Sequence, residues 1–533
     1  MAGGTYHYAI VGAGSAGCVL ANRLSADPAC RVVVLEAGGP DRAREIRVPL
    51  GFIKLAQSAY DWKYRTTRQP QLSDRELFWP RGKTLGGSSS INGQAWTRGH
   101  RLDYDGWAAS CPGWSFDEVL PYFRRAERRV GSNAGGVYGT SGPQFICELR
   151  DPNPTTAAFL AACAEVGLRR LGELNEADNT GFSPTPVTQR RGLRHSAADA
   201  YLRPARQRRN LTVLTQAHVQ RVLLDGARAT GVEYRDAAGA TQRVTVSREV
   251  ILSGGSINSP QLLMLSGVGD PEQLRVADVQ PRHELVGVGA NLQDHLACGI
   301  VVHCPKPVTL FAAESPAQLA RFLLMRRGLL TSSLNEAVAF VRTDPAQAAP
   351  DIELVWLPAP LLGYKPLGGV IPPPAHGLTL GVELLQPDSH GHIRLASGNA
   401  AEPPVIDPGY LTAESDLHGL LVGIRFAERL LETAALRAYV GAPMAPWPGK
   451  VDDAKLATFI REQAQTAFHP VGTCRMGSDD AAVVDCELRV HGLHGLRVVD
   501  ASVMPRIIRG HTHAPTVMIA ERAADLIRPS TPN

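Results

Sequence analysis

The sequence predicts an α/β protein. It opens with a Rossmann-like nucleotide-binding unit, carries a β-meander in its middle, and continues into an α+β region built on an antiparallel sheet. Three observations predict this. Residues 6–36 read strand, glycine turn, helix, strand. Residues 211–252 are short β-branched runs parted by the turn signals Asp225-Gly226 and Ala238-Gly239. From His469 the chain returns to strand, loop and helix after a long stretch that mixes both.

Each element follows in order. Tyr6–Val11 is a short buried-strand run, Ser15–Leu24 has helical spacing, and residues 31–35 are β-branched and apolar. Gly38 to Gly113 is loop-rich. Residues 114–129 predict a helix, and residues 154–168 an amphipathic helix started by Pro154. The meander comprises Leu211–Thr215 and residues 219–224, 231–235 and 243–246. It ends in 250–252, just before Gly254-Gly255 and a helical 260–265. Residues 378–385 and 392–395 predict strands of an antiparallel sheet, and 416–431 a helix with Leu417, Leu420, Ile424 and Leu431 on one side. The proline-rich stretch from Pro358 to Gly377 reads as a surface loop. Residues 497–499 predict a strand and 517–527 the closing helix.

Composition bounds the function. With 533 residues, 44% hydrophobic and 20% charged, the chain is an ordinary globular protein. At roughly 150 residues per domain it holds two to four domains. The net charge of +4 offers no strong field for nucleic acid or an anionic membrane. Nine cysteines are scattered singly without a CxxC pair, which predicts a reducing compartment and no zinc ribbon. No run reaches the length of a membrane span, and the N-terminus lacks a secretory pattern, so a cytoplasmic enzyme is expected.

Gly12-Ala13-Gly14-Ser15-Ala16-Gly17 is a G-x-G-x-x-G between strand and helix, and Glu36 ends the next strand, with Ala37 after it. This is the full dinucleotide fingerprint. Gly12 permits the tight turn, Gly14 lets backbone amides approach a pyrophosphate, and Gly17 permits close helix packing. Glu36 accepts ribose hydroxyls and repels a 2′-phosphate. The fingerprint alone does not separate NAD from FAD.

Further motifs choose between them. Gly82-Lys83-Thr84-Leu85-Gly86-Gly87-Ser88-Ser89-Ser90-Ile91-Asn92-Gly93 is one, and Gly255-Ser256-Ile257-Asn258-Ser259-Pro260 another. A third is His469-Pro470-Val471-Gly472-Thr473-Cys474, and a fourth runs from Val499-Asp500-Ala501 into His511-Thr512-His513-Ala514-Pro515. At these residues the sequence resembles the glucose–methanol–choline (GMC) oxidoreductase family, in particular its bacterial branch of choline dehydrogenases and aliphatic alcohol dehydrogenases.

The resemblance implies FAD as cofactor. It places Gly86, Gly87 and Ser88 at the pyrophosphate and ribityl chain, Asn92 against the flavin, Val219 at the adenine, and Asp500 and Ala501 in the last cofactor loop. It also implies a discontinuous FAD domain, 1–149, 205–298 and 465–533, with a substrate domain of 150–204 and 299–464 inserted. Catalytic roles fall to His469 as general base and His513 as partner of the developing alkoxide, with His511 behind them. A neutral imidazole with a pKa near 6.5 can take a hydroxyl proton at neutral pH. Glu336 matches an acidic position facing the substrate and would hold a choline ammonium.

The expected activity is oxidation of a primary alcohol to an aldehyde, with O2 or a quinone-type compound as electron acceptor. Choline oxidation and a flavin-containing hydroxynitrile lyase are the alternatives. Serine hydrolysis lacks its G-x-S-x-G elbow, and His511-x-His513 lacks a third metal ligand nearby. Residues 318–330, apolar with interspersed Arg, would touch a membrane, making the enzyme peripheral to the inner membrane, or line an apolar entrance.

Overall fold

A computed structural model describes residues 5–361 and 375–528. Most of the proline-rich stretch predicted as a surface loop therefore lies outside the described residues.

The nucleotide side is a seven-stranded sheet. Tyr6–Val11 pairs in parallel with Val32–Glu36 on one side and with the end of Thr241–Leu252 on the other, setting Ile10 opposite Val34 and Ile251. All five residues of Val32–Glu36 are buried. A parallel strand is covered on both faces, so it reads as a continuous apolar run. The helices Ser15–Leu24 and His513–Ile527 pack on each other beside this sheet.

Two predicted strands change place. Leu211–Thr215 is not part of the meander; it extends the parallel sheet beside Val32–Glu36. The runs 243–246 and 250–252 are one strand, Thr241–Leu252. Its first half pairs antiparallel with Arg228–Arg235, and its last residues pair in parallel with Tyr6–Val11. No turn residue separates the halves, so the strand runs on and fuses meander and parallel sheet. Leu496–Val498 joins its far edge, bringing the C-terminal region back to the N-terminal one.

The helix expected over 114–129 spans Phe116–Ala126, started by a capping box between Ser115 and Glu118. The chain then becomes a strand, Glu127–Val130, paired with Gln144–Cys147. The loop-rich region also contains a helix, Arg101–Ala108, capped by His100 and Asp103.

The second sheet has six strands in the order Gln465–Thr466, Leu296–His303, Gly377–Leu384, Ile352–Leu357, Ala337–Val341, Gly181–Pro184, all antiparallel. Residues 392–394 do not join it; they pair with Val405–Asp407 in a separate ribbon. Helix Glu414–Leu431 covers one face so closely that a Cβ on Gly423 would stand 2.7 Å from Val382 Cγ1. Side chains alternate along a strand. Leu380 and Val382 are buried, while Thr379, Gly381 and Glu383 line a cavity against the nucleotide sheet.

Contrary to the expectation of unpaired thiols in a reducing compartment, Cys111 and Cys486 form a disulfide, their Cα atoms 5.2 Å apart. The fold brings together two residues 375 positions apart, a proximity no spacing rule detects. Among the described residues no helix is long and apolar enough to cross a membrane.

Candidate active site

The site is an internal cavity of about 480 Å³ whose walls come from both ends and the middle of the chain. At its phosphate end two glycine loops meet. Gly12 has φ +99°, and a Cβ there would lie 2.5 Å from Ser253 O. A Cβ on Gly17 would lie 1.9 Å from Gly12 O, so Gly17 is needed for helix packing and does not reach the cavity. Gly14 is different: the only neighbour its Cβ would meet is Gly87 Cα at 4.0 Å. The Gly86 N–H donates to Ala13 O at 2.8 Å and locks the second loop onto the first. Gly86 is thus a loop clamp, whereas Gly12, Gly14, Ser15, Ala16, Gly82, Gly87, Ser88 and Gly93 line the cavity.

Glu36 and Ala37 line it too. The Glu36 carboxylate accepts from the N–H groups of Ala13 and Gly38, each at 2.8 Å. Burial raises its pKa to about 7 against the pull of those two donors. Val219, Asp500 and Ala501 complete this end. Asp500 accepts from Gly255 N (2.8 Å), Ser259 Oγ (2.6 Å) and Ser502 N (2.9 Å), tying the C-terminal loop to the N-terminus of helix Gly255–Leu265.

Asn92 accepts from Arg194 Nη1 at 2.7 Å, which holds its side chain at the wall. Arg194 also donates to Ile46 O and Ser89 O from a fully buried position. Burial lowers its pKa to about 9.

The opposite end carries the ionisable chemistry. Glu353 and Glu383 are cross-strand neighbours in direct register, both buried. Like charges so placed repel, and histidines answer them. His295 Nε2 donates to Leu385 O at 3.0 Å and its Nδ1 stands 2.8 Å from Glu383 Oε1. Nε2 thus carries a proton, and a second proton on Nδ1 would give the ring a positive charge. Burial opposes that charge, but Glu383 outweighs it and raises the His295 pKa. Burial alone would raise Glu383; His295 and His469 instead hold it well below the usual range.

His469 Nδ1 lies 3.3 Å from the same Glu383 oxygen and 3.0 Å from His295 Nδ1. Its backbone N–H donates to Asp294 Oδ1 at 2.6 Å, and the preceding Phe468 takes φ +67°. Burial pushes the His469 pKa down to about 4. The ring is therefore neutral near pH 7. Only one of the two Nδ1 atoms 3.0 Å apart can carry the proton between the rings; with that proton on His469, its Nε2 is the lone-pair acceptor.

The histidine beside His469 is His511, with ring centroids 4.8 Å apart. His511 Nε2 lies 3.1 Å from Glu353 Oε1. Burial would lower its pKa, but the Glu353 charge dominates and raises it to about 9. His513, expected as the catalytic partner, is placed otherwise. Its Nδ1 lies 3.0 Å from Ser15 Oγ and its ring meets Trp96 edge-on. Burial, aided by Arg194, lowers it to about 4. As the first residue of the C-terminal helix, His513 is turned toward the glycine loop, while His511 in the preceding turn faces the antiparallel sheet.

Glu336 does not reach the cavity. It is buried behind it, accepting from Asn153 N (2.6 Å), Thr156 Oγ1 (2.7 Å) and Ser332 Oγ (2.6 Å), while Leu334 and Asn335 form the wall. Three donors already occupy its carboxylate, so no cation is held there.

Sequence reasoning missed His295, Glu353 and Glu383. The two glutamates had a visible signal, since each is the sole charge in an otherwise apolar strand, IELVWL and GLTLGVEL. His295 precedes a strand and carries no periodic signature.

The glycine cradle fits a dinucleotide. Gly14 leaves space where a phosphate would approach, and the buried Ser253 Oγ and His513 Nε2 at the cavity wall have no partner among the described residues. A dinucleotide cradle facing a buried histidine–carboxylate cluster defines a redox enzyme that oxidises its substrate against a bound nucleotide cofactor. The GMC oxidoreductase model matches residues 6–297 and 387–520, so the chain belongs to that family. It is an FAD-dependent oxidoreductase.

The chain is 48% identical to an uncharacterised GMC-type oxidoreductase of Mycobacterium tuberculosis, over 98% of this chain and 99% of the other. It is 41% identical to an alcohol dehydrogenase [acceptor] of Pseudomonas putida, over 98% and 95%. Pyridoxine 4-oxidase from Mesorbium loti superposes with a TM-score of 0.89 at 32% identity, over 98% of this chain and 99% of that one.

Proposed function

We propose that the enzyme oxidises an uncharged primary alcohol to the aldehyde, with His469 as general base and His511 as alkoxide partner. The observation that carries this is the pair of adjacent rings in the cavity wall, one kept neutral by burial and the other kept charged by Glu353. His469 Nε2 takes the hydroxyl proton. The His511 imidazolium, anchored through Nε2, offers Nδ1–H to the developing oxyanion, which a donor in a dry site stabilises more than in water. Bound FAD supplies the hydride acceptor for the carbinol carbon. Glu383, held below its usual range, and Glu353, paired with His511, orient the two rings.

The substrate end supports an apolar chain on the alcohol. Phe52, Ile91, Leu334, Val355, Leu357 and Leu361 line it. Glu336, the position expected to hold a choline ammonium, lies behind the wall with its carboxylate engaged by three donors, which favours an uncharged alcohol. The discontinuous FAD domain (1–149, 205–298, 465–533) and inserted substrate domain (150–204, 299–464) belong to the same proposal, with the cavity between them.

The test is anaerobic mixing of the yellow holoenzyme with a panel of primary alcohols, choline and a cyanohydrin, followed by air or a quinone analogue. Loss of flavin absorbance with uncharged alcohols, recovered on reoxidation, is the expected result. Cyanide release without flavin reduction by any alcohol would overturn it in favour of a lyase.

A further inference from the structure

Of the nine large hydrophobic side chains exposed among the described residues, five cluster between positions 311 and 325: Phe311, Leu319, Leu323, Leu324 and Met325. Four belong to helix Pro316–Met325, in which Phe322 alone is buried. Leu324 is 85% exposed and both Leu323 and Met325 59%. Scattered single apolar residues are ordinary on a surface, but such a cluster marks an interaction site.

The rim is basic. Arg326 lies over the Phe322 ring, and Arg321 and Arg327 share one carboxylate, Asp151. Gly192 brings Arg150 to the same place, since its Cβ would stand 2.5 Å from Arg326 O and 3.3 Å from Arg150 Cδ. Four arginines against Asp151 leave net positive charge beside the apolar tip. Behind the helix, Leu329 and Leu330 join a small apolar cluster with Leu50, Phe52, Leu310 and Leu334, and Phe52 and Leu334 line the cavity.

We infer that this helix docks the enzyme on an anionic lipid bilayer, its apolar tip in the interface and its arginines on the headgroups. An amphipathic helix lying in the interface combines apolar burial with attraction to anionic lipid. The apolar cluster then connects the membrane contact to the cavity. That last link rests on the alcohol-oxidase reading; the docking itself does not.

The experiment is flotation of the holoenzyme with vesicles of phosphatidylcholine alone and of phosphatidylcholine with about one third phosphatidylglycerol. The wild type is expected to float with the anionic vesicles, at least tenfold more than with neutral ones, and to be released by high salt. Leu324→Glu/Met325→Glu, both fully surface changes, should abolish flotation while flavin content and turnover of a water-soluble alcohol stay as in the wild type. Flotation of the double variant equal to wild type would overturn the proposal. So would a wild type that stays with neither vesicle, or one that self-associates through this patch without binding lipid. Loss of alcohol turnover with flotation intact would instead count against the proposed activity alone.

Discussion

At the residue scale the site separates two imidazoles by environment. His469 is held neutral because burial disfavours its charge more than Glu383 favours it, and its pKa falls to about 4. His511 is held charged because Glu353 outweighs burial, and its pKa rises to about 9. The proposed reaction needs the first neutral and the second protonated. Flavin reduction is therefore expected to rise with pH through about 4 and fall through about 9, measured by anaerobic stopped flow. A single ionisation with no alkaline limb would contradict the role of His511.

Two substitutions divide the roles. His469→Ala should slow flavin reduction by about 10² or more, without loss of bound flavin. Glu353→Gln should remove what raises His511 and draw the alkaline limb down from about 9. Normal reduction in the first variant, or an unmoved limb in the second, would remove these assignments. His513→Ala, by contrast, is expected to weaken flavin retention through Ser15 more than it slows the chemistry, read from the flavin-to-protein ratio against the single-turnover rate.

At the element scale the glycine loop carries two kinds of glycine. Gly17 is filled by the fold itself, since its Cβ would meet Gly12 O at 1.9 Å. Gly14 faces open space, with nothing closer than 4.0 Å. Gly17→Ala should therefore cost stability, about 1–3 kcal/mol as overpacking does, seen as a lower melting temperature even in the apoprotein. Gly14→Ala should leave the apoprotein as stable as wild type but hinder FAD binding, seen in flavin titration. Equal melting losses in both apoproteins would refute the distinction.

Elements also show where local reading works. Tyr6–Val11 and Ser15–Leu24 match their expected bounds because the glycine loop punctuates them. The strand Thr241–Leu252 was divided in expectation because its exposed half and buried half follow different patterns. Leu211–Thr215 reads as part of the meander, yet pairs with Val32–Glu36, because β-branched content does not say which neighbour a strand pairs with. Pairing is a choice among distant partners, and local residues carry no record of it.

At the scale of the whole molecule, the parallel strands bring residues near both termini to one cavity, and the Cys111–Cys486 bond reinforces that return. Thiol labelling of the unreduced, denatured protein is expected to find seven free cysteines, with Cys111 and Cys486 joined in the peptide map. Nine reactive thiols would show the bridge does not form.

The sequence by itself determined the dinucleotide fingerprint and the family, because each rests on residues close together in the chain whose local geometry is their function. Tertiary structure decided the histidine–carboxylate end of the cavity. Glu353 and Glu383 oppose each other through strand register, His295 arrives from the loop just before strand Leu296–His303, and His511 rather than His513 stands beside His469 because the chain turns into a helix between them. It likewise withdrew Glu336 by surrounding it with donors. Ionisable groups take their charge from what surrounds them, and here those surroundings come from remote segments.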